Sequence, residues 1–270
     1  MIRGPMRGPT LGPTLGLWDR ETVALLLLAA VMPIALAWLW YGGTDAVLRL
    51  ALALVISGLW HIVFMLARAQ PPSFAGALTA LAVAILAPEE LGLLAFVLGI
   101  SFGSVMAELV FGGWGRNILN PATVTLAFLG FGFVTAPWPD MVLPVAWAAV
   151  PAGIIGMVAG VMPARVILGA VVVAAAGLFA GLPLQPVLPA FALVLVLLVA
   201  DPVASASTRL GGWLNGAIFA ALVIMFTLNW EGAPPVRIAV SAALLASLVA
   251  PLLDETAIAL WHARRRKRHG

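Results

Sequence analysis

The sequence predicts an all-α polytopic membrane protein with about ten transmembrane segments, two of them short or broken, in two five-span repeats of inverted topology. Three observations carry that prediction. Hydrophobic residues make up 63% and charged residues only 9% of the 270-residue chain, and the mean hydropathy is +1.11. A soluble domain has no use for so much apolar side chain, because its core must be wrapped in a polar shell. Apolar runs able to cross about 30 Å of hydrocarbon fill the chain, and its basic residues segregate by side.

Taken in order, the apolar runs fall at 22–41, 46–67, 73–88, 91–109 and 120–136, then at 141–162, 164–181, 186–200, 212–229 and 236–256. The third and eighth are short for a crossing, and each ends at a corner bearing proline and acid: Ala87-Pro88-Glu89-Glu90 and Ala200-Asp201-Pro202. Short, interrupted segments at matching places in two halves point to a midplane site built from broken helices. With the N-terminus inside and ten crossings, 12 of the 14 Lys and Arg fall on the inner side, leaving only Arg49 and Arg237 outside. The positive-inside rule therefore places both termini in the cytoplasm. Five spans per half is an odd number, so the halves run in opposite directions. GALTALAVAILAPEE (76–90) against PAFALVLVLLVADPV (189–203) is the internal match.

The expected organisation is a flexible cytoplasmic arm at 1–21, a first membrane repeat at 22–136, a second at 137–256 and a basic cytoplasmic tail at 257–270. The N-terminal residues do not read as a signal peptide, since glycines and prolines precede the apolar run and no small-residue cleavage site follows it. The basic run Arg264, Arg265, Arg266, Lys267, Arg268 reads as a topology anchor in contact with the lipid bilayer and not as a nucleic-acid arm. With no cysteine, thiolate-held iron–sulfur clusters and disulfides are excluded; of His61, His262 and His269 two lie in the tail, so no bis-histidine haem inside the membrane and no metal site are expected.

The least helical stretch is FGGWGRNILNPAT (111–123). Non-helical backbone at membrane depth survives only where protein or water satisfies its polar groups. Gly112, Gly113 and Gly115 allow close approach or unusual torsions, Asn117 and Asn120 offer amides, and Pro121 suits the first position of a helix. Such a helix start seats an anion, a carbonyl or a ring edge. A tight inter-helix turn with asparagine caps fits the spacing equally well.

GGWGRNILNPATV resembles the GG-x-G-x-N-x-x-NPA signature of the RnfD/NqrB family, the membrane subunits of Rnf-type ferredoxin:NAD and Nqr-type NADH:quinone oxidoreductases. ADPVASASTRLGGWLNGAIFAALV resembles that family's TDPV-led block. VAPLLDETA (249–257) is similar to its closing PLID, and ALTALAVAILAP to the helix ahead of the first motif. The resemblance runs in order over most of 70–257. It implies a urea-channel-like inverted-repeat fold and a place in a complex coupling flavin-mediated electron transfer to Na⁺ or H⁺ movement. It also implies a cytoplasmic-side loop near flavin or quinone.

One departure matters. Members usually carry a long extracytoplasmic loop between the halves, holding a threonine that takes FMN as a phosphoester. Here only PWPDM (137–141) joins the halves. Ala122-Thr123-Val124-Thr125 and Ser205-Ala206-Ser207-Thr208 echo that motif on the inner side, so no covalent FMN is expected. A non-covalent flavin (riboflavin or FMN) or a quinone remains compatible.

The expected cofactor contacts are Gly112, Gly113, Trp114, Gly115, Asn117, Asn120, Pro121, Asp201, Pro202 and Asn215. Amides can meet the polar edges of a flavin or quinone without a charge cost, and Trp114 can stack on a ring. Glu108 and Asp254 are the ion-pathway candidates, since an ionisable group within a span is functional by default. For Glu108 the alternative is an interfacial carboxylate paired with Arg116. Asp201 also suits capping of the segment from Pro202 onward, and Asp254 an inner-interface position. His61 reads either as a proton relay or as a neutral ring bonded to a backbone carbonyl. Trp38, Trp40, Trp60, Trp138 and Trp230 fit interfacial belts.

The expected function is that of an electron-transport subunit in a bacterial cytoplasmic (inner) membrane, not catalytic alone. Its partners would be other membrane and periplasmic electron-transfer subunits, a flavinylated protein among them. The competing readings are a small-solute channel or transporter of the same fold and a cofactor-free scaffold for a flavinylated partner.

Overall fold

A computed structural model describes residues 19–68 and 73–269, and every regular element in them is helical. Most of the expected N-terminal arm lies outside the described residues.

The first helix, α1, spans Arg20–Arg68. At about 1.5 Å per residue it would be more than twice as long as the hydrocarbon layer is thick if straight. It is not straight: Gly43 has φ 58° and ψ −141°, torsions open to glycine alone. The two expected spans are therefore two arms joined at Gly43, and the arms fold back on each other. At one end of the hairpin Glu21 accepts the Phe74 N–H at 3.0 Å. Arg68, 47 positions later, donates to the Val110 carbonyl at the same end.

The next helix, α2 (Ala75–Leu86), is apolar on every side, and ten of its residues are buried, as a helix without a polar face must be. Its last carbonyls are orphans by geometry. The Arg49 guanidinium, lying over the Phe96 ring at 5.5 Å, takes the carbonyls of Ala87 and Pro88. Helix α3 (Leu93–Gly103) runs into a π turn at Ser104–Glu108 and a 3-10 turn at Leu109–Phe111. The glycine loop then leads to α4 (Pro121–Gly132).

The segment expected at 141–162 is two short helices, α5 (Leu143–Trp147) and α6 (Ala149–Val158). Pro151 withholds the N–H that would reach the Trp147 carbonyl and so interrupts the ladder. The Ala164–Phe179 helix (α7) and the Arg209–Asn229 helix (α9) meet backbone to backbone. A Cβ placed on Gly216 would stand 1.9 Å from the Val166 carbonyl oxygen, and one on Gly169 2.5 Å from that of Trp213. Small residues are the usual means of such contact between helices in lipid. Between them in sequence, α8 (Leu188–Val194) is introduced by a 3-10 turn and ends in a second π turn at Leu195–Val199. The last helix, α10 (Pro235–His269), continues through most of the expected tail.

By length and composition, Arg20–Arg68, Leu93–Phe111, Arg209–Asn229 and Pro235–Ala263 can cross a membrane, and five shorter apolar helical stretches accompany them. Large apolar side chains such as Leu36, Val158 and Phe179 are exposed on the outside, which a lipid solvent permits. One expected belt residue departs: Trp138 is buried, packed where a Cβ on Gly130 would stand 2.7 Å from its ring.

Candidate functional site

The glycine loop folds by its own torsions. Gly112, Gly113 and Gly115 have φ of 107°, 87° and 92°, a region that costs any residue with a Cβ strain. Gly113 N–H returns to the Glu108 carbonyl at 3.1 Å, and Arg116 N–H to that of Gly113 at 3.2 Å. Asn117 is buried and spends its amide inside the loop, accepting from Gly115 N–H and donating to the Leu119 carbonyl, both at 3.0 Å. Trp114 turns inward and is buried, while Gly115, Arg116 and Ile118 stay exposed.

Asn120 ends the loop as the N-cap of α4, its Oδ1 accepting from Ala122 and Thr123 N–H at 2.9 and 3.2 Å. Pro121 follows at the first helical position, where its missing N–H costs nothing. The other half of the Asn120 amide reaches the second corner, Nδ2 donating to Asp201 Oδ2 at 2.8 Å. Asp201 is itself buried, and its Oδ1 accepts Val203 N–H at 2.9 Å, the local capping contact its place before Pro202 suggests. No helix begins there, and Pro202 is exposed on the following turn. The glycine-loop motif and the DP corner are thus joined, although they lie in different halves of the sequence.

Trp114, Asn120, Pro121 and Asp201, with Thr79 and Met162, line a cavity of about 40 Å³. That admits a water or two, or a small cation. It does not admit a three-ring flavin. A ligand-sized cavity of about 680 Å³ lies at the opposite end of the α1 hairpin, between Trp38, Asp45, Arg49, Glu89 and Phe96.

One expected contact, Asn215, and one ion-pathway candidate, Asp254, lie elsewhere. Asn215, buried, donates from Nδ2 to the Ala246 carbonyl at 2.8 Å and ties α9 to α10. Asp254 gathers the N–H and hydroxyl of both Ser207 and Thr208 within 3.0 Å, while the Thr208 hydroxyl caps α9 by accepting from Gly211 N–H.

Glu108 closes the π turn and is 1% exposed. It does not pair with Arg116, which folds over Gly112. Its Oε1 instead meets His61 Nε2 at 3.2 Å, and His61 Nδ1 faces the Ser57 carbonyl at 2.9 Å. The ring thus has the backbone carbonyl that the neutral reading of His61 expects, and its other nitrogen faces an acid. Ser104, Thr125 and Thr79, buried hydroxyls near these acids, escape a search for motifs. Their one sequence signal is a lone hydroxyl inside an otherwise apolar run.

The NQR2, RnfD, RnfE family model matches residues 18–148, which hold the glycine loop and Glu108. The match covers just under half of the chain, and over it this chain, a membrane protein by its long apolar helices, is similar to the RnfD/NqrB family. Among its relatives, a Na(+)-translocating NADH-quinone reductase subunit of Klebsiella pneumoniae subsp. pneumoniae is 38% identical over 88 residues, 33% of this chain and 21% of that one. Its counterpart in Neisseria meningitidis serogroup B is 39% identical over 83 residues, 31% of this chain and 20% of the relative. The Yersinia pestis counterpart aligns further, at 25% identity over 282 residues, 82% of this chain and 68% of its own. In the first two matches, then, this chain spans only about a fifth of its relative.

Proposed function

We propose that this chain is the integral membrane subunit of an Rnf/Nqr-like electron transport complex. It sits in a bacterial cytoplasmic membrane with both termini inside, and passes electrons through a non-covalent flavin or quinone to separate membrane and periplasmic subunits. The observation that carries the reading is the glycine loop, whose left-handed torsions give the family motif a physical reason. The interior cavity is too small for a ring, so the expected contacts divide. Gly115 is exposed beside Phe111, Arg116 and Ile118, and Gly112 lies half-buried under the Arg116 side chain, a surface where a flat ring can lie and its carbonyl oxygens meet a guanidinium. Trp114, Asn117, Asn120 and Asp201 hold that surface from behind.

The ten-crossing inverted repeat belongs to the same proposal. Its support is the equivalence of α2 and α8, both short, apolar and largely buried. Each is followed by a corner whose polar groups are met by another element, Arg49 at one and Asn120 at the other.

A small-solute channel of the same fold is the second reading, favoured by the water-sized, largely apolar cavity that Asn120 and Asp201 reach. The visible spectrum of the purified chain, with mass analysis of small molecules released on denaturation, separates the two. Riboflavin, FMN or quinone near one per chain is expected. A colourless chain, cofactor-free even when prepared with its neighbours, would sink the redox proposal and make solute flux the next assay.

A further inference from the structure

A carbonyl oxygen only accepts, so the Ser57 carbonyl 2.9 Å from His61 Nδ1 places a hydrogen on that nitrogen. Nε2 and Glu108 Oε1, 3.2 Å apart, are then left with one exchangeable proton between them or with none. When the proton is present, the pair is a carboxylic acid on a neutral imidazole or an imidazolium on a carboxylate, with zero net charge either way. When it is absent, a carboxylate lone pair faces an imidazole lone pair in dry surroundings.

Among the described residues, the neighbourhood contains no other neutralising partner. Gly76 of α2 lies flat against the ring, where a Cβ would stand 2.6 Å from Cε1, and α2 holds no ionisable residue. The facing part of α4 brings only Thr123 and Thr125. Glu21 on the first arm of α1 and Asp201 at the α8 corner are within electrostatic reach, and both are acidic. Arg20 is paired with Glu21 at 3.5 Å, Arg68 is turned to the Val110 carbonyl and Arg116 to Gly112. Glu108 Oε2, Ser104 Oγ and Thr125 Oγ1 are buried without a hydrogen-bond partner among the described residues. Gly103 lets α4 approach, since a Cβ there would overlap Thr125 Oγ1 at 1.9 Å.

We propose that the ion carried through Glu108 is a proton, held between Glu108 Oε1 and His61 Nε2, and that His61 is the residue selecting it over Na⁺. This rests on the electron-transport reading for its purpose, but its chemistry stands on the pair alone. A hard cation seeks a shell of oxygen ligands, and imidazole suits softer metals. Here one carboxylate oxygen is committed to a ring nitrogen, and the imidazolium form repels any cation. A proton needs only the line between N and O. On release, the O–H or N–H bond of the pair breaks and the proton passes to a group that can accept one and give one up, as a hydroxyl can; Ser104 and Thr125, which make no hydrogen bond to the pair, would have to turn toward it to serve.

Infrared difference spectra of the intact chain in lipid nanodiscs test this, stepping pH at fixed Na⁺ and then Na⁺ at fixed pH. A protonated-carboxyl or imidazolium band should titrate with pH, be missing from Glu108→Gln, and ignore Na⁺. In His61→Gln a carboxyl band should survive and become displaceable by Na⁺; His61→Asn serves if that variant does not fold. Loss of the wild-type band on adding Na⁺, or a pair that does not titrate, overturns the proton site. A variant as indifferent to Na⁺ as the wild type overturns the role of His61. No redox partner enters the readout, so failure of the electron-transport reading leaves these outcomes legible.

Discussion

Asn120 and Asp201 lie 81 positions apart, and the amide of one donates to the carboxylate of the other at 2.8 Å. The same amide caps α4, so one side chain holds a helix start and a corner of the opposite half. Asn120→Ala removes the cap and leaves Asp201 Oδ2 short of a donor in a buried place. The expected loss is about 1–3 kcal/mol, read as a lower unfolding temperature in detergent.

Asn120→Asp keeps the cap but sets two carboxyl groups face to face. It should cost more than alanine at neutral pH. Its deficit should shrink as pH falls, because one carboxyl then takes up a proton and donates it to the other. A deficit that instead grows toward acid would show that the two side chains do not meet.

Backbone contact between α7 and α9 rests on glycine. Gly216→Ala drives a methyl group into the Val166 carbonyl, which cannot swing away as a side chain would, and about 3 kcal/mol or more is expected from overpacking. Gly58→Ala is the control: nothing stands within 4 Å of its Cβ position, and in a helix interior alanine should be neutral or better. Parallel unfolding curves of the two variants check the contrast.

Gly112→Ala and Gly115→Ala address the loop. Each forces a Cβ into left-handed torsions, at about 1–2 kcal/mol, and each adds a methyl group to the proposed ring-binding surface. Cofactor content should fall further than the unfolding temperature predicts. Equal content in variants and wild type would move the ring elsewhere, with the cavity beside Trp38 and Phe96 the next place to look.

Asp254 accepts four hydrogen bonds from Ser207 and Thr208. Asp254→Ala should release the turn before α9, at about 1–3 kcal/mol. Faster amide hydrogen exchange confined to Ser207, Thr208 and Gly211 is the expected signature. Asp254→Asn, which keeps one acceptor oxygen, should fall between alanine and wild type.

Much of this was legible in the residues. Gly112, Gly113 and Gly115 announce a loop because glycine alone tolerates the torsions found there, and Asn120-Pro121 reads as a helix start for reasons local to four residues. The α1 hairpin is less legible. Its two apolar runs are plain, yet Gly43 turns the chain inside what remains one continuous helical stretch. The roles of Trp114 and Asn215 do not follow from spacing, because an indole or an amide serves a core as well as a ligand, and only its neighbours decide.

By itself the sequence determined the solvent and the class: composition selects lipid, apolar run length selects helices, and the glycine–asparagine motif points to the relatives. Pairing was decided by the tertiary structure. Glu108 met His61 and not Arg116, and Asn120 met Asp201 across the two halves. A buried charge or amide must find its partner through space, and in a helical bundle that partner sits on whichever neighbouring helix packs closest, at a separation the chain's local patterns do not encode.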